Sequence, residues 1–216
     1  MPTSNLKRTG QKRIPTDDEK LLAVSLLYNR LNRGFTLYRW FMEIRPMLAV
    51  HPRFSEEHFA VTTIQNACVE SALMSVRDLD DFFRPRTKQT RDNDLRATDF
   101  DGYQSPGLFL SGPERESINQ RIAHLTYEPV WTGTTGIAPD SQFDWNTTNL
   151  VGKAARAVLG FLSYVESELL SKQPDKAGDI RKVIRTFELM LKNMEALAKL
   201  QNEHFVNTHK DMPHQS

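Results

Sequence analysis

Apolar residues recur every three to four positions along most of this chain, and no stretch alternates apolar and polar residues as a half-buried strand does. The helical period is clear in four long stretches, at about residues 17–45, 55–84, 147–172 and 178–203, and in a shorter one at about 113–127. Because a helix with one apolar face buries it against other helices, the pattern predicts an all-α fold. We expect a single-domain helical bundle of about five helices.

Helix start signals support these limits. Thr16 and Glu19 match a capping box, in which each side chain accepts a hydrogen bond from the backbone N–H of the other. Ser111 and Glu114 repeat the motif, and Ser55 is a candidate cap. Gly34 is a possible kink in the first helix. The predicted apolar stripes of the first two helices include Leu22, Leu26, Leu27, Leu31, Val61, Ile64, Cys68 and Ala72.

The ends of the chain have a different composition from the middle. Residues 1–15 carry basic side chains and no acid, and residues 205–216 are polar. We expect two flexible tails around a bundle domain at 16–204.

Charge and cysteine content exclude several classes of protein. The chain has 28 Lys and Arg against 27 Asp and Glu, so no global charge attracts it to nucleic acid or to an anionic membrane. A single cysteine, Cys68, allows neither an internal disulfide nor a cysteine-based zinc site, which favours a reducing, cytoplasmic location. No apolar run approaches the roughly 18 residues of a membrane span, and no signal peptide is expected.

Two connections are longer than a simple bundle needs. Residues 86–112 and 128–146 are rich in turn formers, and both flank the short predicted helix at 113–127. Long connections inside a compact domain are usually functional or disordered. We therefore expect any site near this short helix and the end of the second helix.

The second helix carries a polar stripe of Asn66, Glu70, Arg77 and Asp81 beside its apolar face. Arg77 and Asp81 lie four residues apart and can form an ion pair. One interpretation is a solvated acidic turn that includes Asp78. The other is a semi-buried network of arginines and carboxylates that faces the long connections.

The short helix offers Asn119, Arg121 and His124. Histidine is the side chain best suited to proton transfer near neutral pH. His124 is either a general acid/base or a histidine at the edge of the core, bonded to a carboxylate such as Asp78 or Asp81. Both interpretations stay open at the level of the sequence.

The connection at 86–112 contains Asp99, Asp101 and Gly102 in a pattern like a fragment of a calcium loop. Its other ligand positions do not fit, because Ala97 and Leu108 would have to be ligands. Aspartates that cap loop backbone are the simpler interpretation. A metal held by Asp99, Asp101 and His124 is weighed against, and neither a metal nor a cofactor is predicted.

Three stretches carry a resemblance: 75–83 (SVRDLDDFF), 97–100 (ATDF) and 118–126 (INQRIAHLT). They resemble an uncharacterised family of bacterial all-helical proteins, whose layout is similar to that of HEPN-type domains. Such domains are often dimeric, and many are metal-independent ribonucleases, so the resemblance implies a composite site at a dimer interface. The chain departs from the HEPN motif in having Asn119 where an arginine precedes the histidine.

Three hypotheses for function follow. The first is a non-enzymatic module that binds a partner or self-associates, most simply a homodimer, with RNA or a protein as other partners. The second is a HEPN-like metal-independent ribonuclease, or a toxin or defence-system component, with His124 as general acid/base, Arg77 or Arg121 holding phosphate and Asn119 orienting the scissile group. The third is a small-ligand or metal site between the long connections. The candidate binding residues of the chain are Asp78, Asp81, Asp99 and Arg121.

Overall fold

A computed structural model gives the fold. It describes residues 15–44, 47, 50, 55–88, 90–91, 94–123 and 147–210, without the side chains of 117, 120–123, 197–198 and 200–210. The helices are α1 (Asp17–Ile44), α2 (Glu56–Phe83), α3 (Gly112–Ala123), α4 (Thr147–Leu170) and α5 (Pro174–Lys210), with a 3-10 turn at Ala97–Asp99. The described ranges contain no strand, so the predicted all-α helical bundle is confirmed.

The predicted helix starts are confirmed in detail. Thr16 Oγ1 accepts from the Glu19 N–H at 3.3 Å, and Glu19 Oε2 accepts from the Thr16 N–H at 2.9 Å. Ser111 and Glu114 form the same reciprocal pair at the start of α3. Ser55 accepts from the His58 N–H at 3.1 Å. These bonds satisfy N–H groups that a helix start leaves without a backbone partner.

The antiparallel pair α1 and α2 forms one side of the bundle. Arg30 of α1 forms an ion pair with Asp78 of α2 (3.1 Å), and Gly34, later in α1, lies beside Ser75, earlier in α2. The two helices therefore run in opposite directions. A Cβ atom on Gly34 would lie 3.8 Å from the Ser75 Cβ, an ordinary van der Waals contact. Helix α1 continues through Gly34, and this glycine lies where α1 contacts Ser75 of α2.

The hairpin of α4 and α5 forms the other side. The pairs Arg181–Glu166 and Arg156–Glu195 link the two helices in antiparallel order. Phe187 of α5 stacks on Phe35 of α1 at 6.0 Å between ring centroids. Helix α4 contacts α1 and α2 as well as α5, and it therefore lies at the centre of the core.

Three predicted core positions face outward. Leu22, Leu26 and Ile64 are each at least half exposed, whereas Ala23, Leu27 and Cys68 are buried. Apolar residues spaced three and four apart form a broad stripe around the helix. Only the part of the stripe that points towards the other helices is buried. The assignment of Cys68 to the core is confirmed.

The first long connection folds against α2 and α4 through aromatic rings. Phe100 meets Phe161 edge to face at 4.7 Å, and Tyr103 meets the same ring at 5.2 Å. Tyr164 donates a hydrogen bond to the Asp101 carbonyl. This packing fixes the connection on the surface beside the end of α2. The second connection, 128–146, and the segments 1–14 and 211–216 lie outside the described residues.

Two further expectations from the sequence concern the length of α5 and membrane spans. Helix α5 continues to Lys210, beyond the predicted end at about residue 203. Within the described ranges, no helix is both long and apolar enough to cross a membrane.

Candidate functional site

A fully buried carboxylate lies at the C-terminal end of α2. Asp80 is 0% exposed. Its Oδ1 accepts from the backbone N–H groups of Phe109 (2.9 Å) and Leu110 (3.0 Å), and its Oδ2 forms an ion pair with Nη2 of Arg115. A buried charge is stable only when it is paired and hydrogen-bonded, and Asp80 satisfies both conditions. It therefore joins α2, the first long connection and α3.

Arg115 of α3 is shared between two carboxylates. Its Nη1 lies 3.0 Å from Asp81 Oδ1 while Nη2 contacts Asp80, and its side chain is 13% exposed. Arg84 also approaches Asp81 Oδ1, at 3.5 Å, and Arg96 donates to the Asp81 carbonyl. The structure thus has a semi-buried network of arginines and carboxylates at this helix end, which was one of the two interpretations of the sequence.

Arg77 lies one turn before Asp80 and Asp81 on α2, which places it beside Arg115. Burial, and then the nearby charge of Arg77, lower the pKa of Arg115 below its ordinary value. Among the described residues Arg77 makes no ion pair, so the pair with Asp81 that the spacing allows is not formed. The Nε of Arg77 is buried, and it forms no hydrogen bond with the described residues.

Two polar atoms on α3 are also buried without a hydrogen-bond partner among the described residues. The Nε of Arg115 and the Oδ1 of Asn119, one turn further along α3, are buried and form no hydrogen bond with the described part of the chain. A buried polar group without a partner costs about 1–3 kcal/mol. We call Arg77, Asp80, Asp81, Arg115 and Asn119 the α2–α3 cluster.

A second buried aspartate lies within the first long connection. Asp99 is 0% exposed and binds Arg86 through both oxygens, at 2.5 Å to Nε and 3.0 Å to Nη2. Asp99 Oδ2 also accepts from the Arg96 N–H at 2.8 Å. Arg86 donates in addition to the carbonyls of Asp94 and Arg91. This aspartate therefore holds its own loop together, as the capping interpretation predicts.

The other predicted site residues are divided by the fold. Asp78 points away from the cluster and pairs with Arg30 of α1. Asp101 is exposed. The backbone of Arg121 belongs to α3, but its side chain and the whole of His124 lie outside the described residues. In the ranges that are described, no three His, Cys, Asp or Glu side chains come close enough to hold a metal ion.

Two central members of the cluster were missed from the sequence. Asp80 lies four residues after Val76 and three before Phe83, both buried, so the helical period already indicates an inward orientation. Nothing in the local sequence distinguishes Arg115 from other arginines in a first helical turn. Its role depends on α3 packing against α2.

The arrangement can bind an anion. Counting the arginines 77, 84, 96 and 115 and the aspartates 80, 81 and 94, the described network has one positive charge more than negative. Guanidinium groups bind phosphate and carboxylate oxygens through paired N–H donors. The described residues of the cluster include no Ser, Cys or Lys nucleophile and no histidine.

A second feature of α2 is an exposed, mostly apolar face. Phe59, Ile64 and Met74 are 58%, 50% and 47% exposed. The face also includes smaller residues that are exposed or half-buried. Its members are Phe59, Ala60, Thr63, Ile64, Ala67, Ser71 and Met74, which we call the α2 outer face.

The spacing along the α2 outer face is that of a packing seam. Ala60, Ile64, Ala67, Ser71 and Met74 follow at intervals of four, three, four and three residues. This is the heptad spacing by which helices pair through knobs and holes. The buried face of α2, which includes Cys68, Leu79 and Phe83, lies on the other side of the helix.

No protein-family model, no curated protein and no solved structure matches this chain.

Proposed function

We propose that this protein is a non-catalytic, self-associating helical module, and that it forms a homodimer through the α2 outer face. The observation that carries the proposal is the heptad-spaced, uncharged seam on a side of α2 that no described element covers. Exposed contiguous apolar surface on a folded domain commonly marks an interaction site.

A second copy is the partner that the residue pattern favours. Ala67 lies midway between Ala60 and Met74 on the seam, with Ile64 on one side of it and Ser71 on the other. If two copies of α2 cross antiparallel at Ala67, the large side chains of one copy meet the opposite end of the other. A two-fold interface requires such a self-complementary patch.

The absence of charge supports the same partner. The five residues of the seam between Ala60 and Met74 carry no charge, and Glu70 lies at its edge, one turn from Ala67 and from Met74. Depletion of charged residues is typical of the centre of a protein interface. An acidic or basic partner would find no complementary charge on the seam residues themselves.

The size of the face sets the expected affinity. The seam from Phe59 to Met74 is about 22 Å long at 1.5 Å per residue. One helix pair of this length falls at the low end of the range for specific interfaces, where stable complexes bury about 800 Å² per partner. We therefore expect a dimer with a dissociation constant in the micromolar range.

The experiment is sedimentation equilibrium of the full chain at concentrations from about 1 to 300 μM, a range that spans micromolar dissociation constants. The test variant is Ala67→Glu, which keeps a good helix former but places two carboxylates side by side at the proposed two-fold axis. Its matched control is Ala196→Glu, which adds the same charge on an exposed position of α5.

The wild type and Ala196→Glu are expected to dimerise with the same dissociation constant, and Ala67→Glu is expected to stay monomeric throughout. A monomeric wild type at the highest concentration, or an Ala67→Glu variant that dimerises as the wild type does, contradicts the proposal. Circular dichroism establishes that both variants keep their helix content.

The ribonuclease hypothesis remains a second candidate. Two of its residues, Arg77 and Asn119, have buried polar atoms that form no hydrogen bond among the described residues. Its general acid/base, His124, lies outside the described ranges. RNA cleavage in the presence of EDTA, lost in His124→Ala, is the expected result, and equal cleavage by both proteins or by neither rejects it.

A further inference from the structure

We infer that the α2–α3 cluster is a binding site for a small phosphate-type oxyanion, held between the guanidinium groups of Arg77 and Arg115. This site lies on a different part of α2 from the outer face and does not depend on dimer formation.

The acids of the cluster are already engaged, so they do not neutralise Arg77. Asp80 accepts two backbone N–H groups and pairs with Arg115, while Asp81 pairs with Arg115 and Arg84. The charge of Arg77 therefore has no counter-ion within the described network. A partly buried cation in this situation is stabilised by an anion from solution.

Donors for such an anion are present on both helices. The Nε of Arg77 and the Nε of Arg115 are buried, and neither donates a hydrogen bond to a described residue. Arg77 is one turn from the two aspartates that bind Arg115, so one ligand can reach both guanidinium groups. Burial and the charge of Arg77 both lower the pKa of Arg115, which agrees with two guanidinium groups in close proximity.

Asn119 completes one side of the cluster. Its buried Oδ1 has no hydrogen bond with the described chain, and it follows Arg115 by one helical turn. A protonated oxygen of a phosphate monoanion can donate to this acceptor. Rotation of the amide would instead direct its NH₂ group to a deprotonated oxygen.

The geometry favours a tetrahedral oxyanion over a carboxylate. A phosphate group offers three or four oxygens, so it can bridge two guanidinium groups and an amide at once, whereas a carboxylate offers two. Arginine pairs with phosphate through two parallel N–H donors, and such charge-assisted hydrogen bonds are stronger than neutral ones.

The test measures thermal unfolding of the full chain in sodium phosphate and in sodium chloride at equal ionic strength and pH. A ligand that binds only the folded state raises the melting temperature as its concentration increases. Inorganic phosphate and adenosine monophosphate serve as separate probes, so that free and esterified phosphate are distinguished. A short single-stranded RNA is the third probe.

The test variant is Arg77→Gln, chosen because Arg77 holds no described ion pair and its loss leaves the network of Asp80 intact. Arg185→Gln, on an exposed position of α5, is the matched control for loss of one positive charge. Arg77→Lys keeps the charge but removes the paired donors.

The wild type and Arg185→Gln are expected to show the same saturable stabilisation by inorganic phosphate or by adenosine monophosphate. Arg77→Gln is expected to bind at least about tenfold more weakly, the effect of losing a hydrogen bond to a charged group, with Arg77→Lys between the two. No phosphate-specific stabilisation of the wild type, equal stabilisation of Arg77→Gln, or binding of RNA alone would overturn the inference. Repeating the titration with Ala67→Glu separates this result from the dimer, because the anion site is expected to be unchanged there.

Discussion

Two buried aspartates of this protein each hold an arginine, but they do so in different ways. Asp99 binds Arg86 within one connection, and every nitrogen of that guanidinium donates to a carboxylate or to a loop carbonyl. Asp80 binds Arg115 across two helices, and Nε of that arginine has no acceptor among the described residues. We call the first pair closed, because every guanidinium nitrogen of its arginine has an acceptor, and the second pair open, because one nitrogen does not.

The difference separates a structural role from a binding role. A guanidinium with all its donors engaged has nothing left to offer a ligand, so the Asp99–Arg86 pair only shapes its loop. The Asp80–Arg115 pair has a neighbouring cation, Arg77, and unused donors beside it. Burial alone would have ranked the two aspartates equally, since both are 0% exposed.

The largest expected effect is at the closed pair. Asp99→Ala removes the buried carboxylate that binds two of the three guanidinium nitrogens of Arg86, and breaking a buried pair in this way costs about 3–5 kcal/mol. Urea unfolding of the variant should give a free energy of unfolding lower by that amount. A loss below about 1 kcal/mol would mean that the pair is more solvated than its burial indicates.

A smaller loss is expected at the open pair. Asp80→Asn keeps an oxygen that can accept from Phe109 and Leu110, but it removes the charge that faces Arg115, which also has Asp81. We expect the free energy of unfolding to fall by about 2–3 kcal/mol, which is the scale of a hydrogen bond to a charged group and larger than that of a neutral hydrogen bond.

A double variant sharpens the comparison further. In Asp80→Asn with Arg115→Met, no buried charge lacks its partner, and apolar replacement of a buried pair is often neutral. Part of the stability lost in Asp80→Asn should therefore return, by about 1 kcal/mol or more, the usual scale of coupling between contacting residues. If the double variant is less stable than Asp80→Asn alone, Arg115 contributes through contacts other than this pair.

The smallest effect concerns the neighbouring Glu114, whose side chain is about one quarter exposed and lies 2.6 Å from Lys153. Desolvation raises the pKa of Glu114, but hydrogen bonds from Lys153 and Ser111 outweigh it, so the pKa lies below its ordinary value of 4.5. A lowered carboxyl pKa stabilises the fold above the unfolded-state pKa, and this contribution disappears as the pH falls through the folded-state pKa.

Glu114→Gln should therefore cost about 0.5–1 kcal/mol at pH 7, a value reduced by solvent screening. The difference from the wild type should shrink as the pH is lowered from about 6 to 3, the range around an ordinary carboxyl pKa. Urea unfolding at several pH values measures it. A difference that stays constant over this range would mean that the charge of Glu114 is not its cause.

The helices and their starts could be predicted because they depend on neighbours in the chain. The bonds between Thr16 and Glu19, and between Ser111 and Glu114, join residues three positions apart, so the sequence contains both partners of each interaction. The helical class follows from the spacing of apolar residues in the same way.

The candidate site could be predicted only in part. Arg77, Asp81 and Asn119 were selected from the sequence and lie in the α2–α3 cluster, whereas Asp78 and Asp99 take part in other contacts. Asp80 and Arg115 were not selected, because their importance comes from a contact between two helices. His124 remains a prediction.

The sequence by itself determined the helical class, the capped helix starts and the region around α3 where polar residues gather, because these follow from short-range periodicity and capping. Tertiary structure alone decided which carboxylate is buried, which arginine keeps free donors, and which apolar residues of α2 stay outside. Ile64 and Cys68 belong to the same predicted stripe, yet the first is exposed and the second is buried. The reason is that burial is set by the direction of the neighbouring helices, which no local pattern of residues specifies.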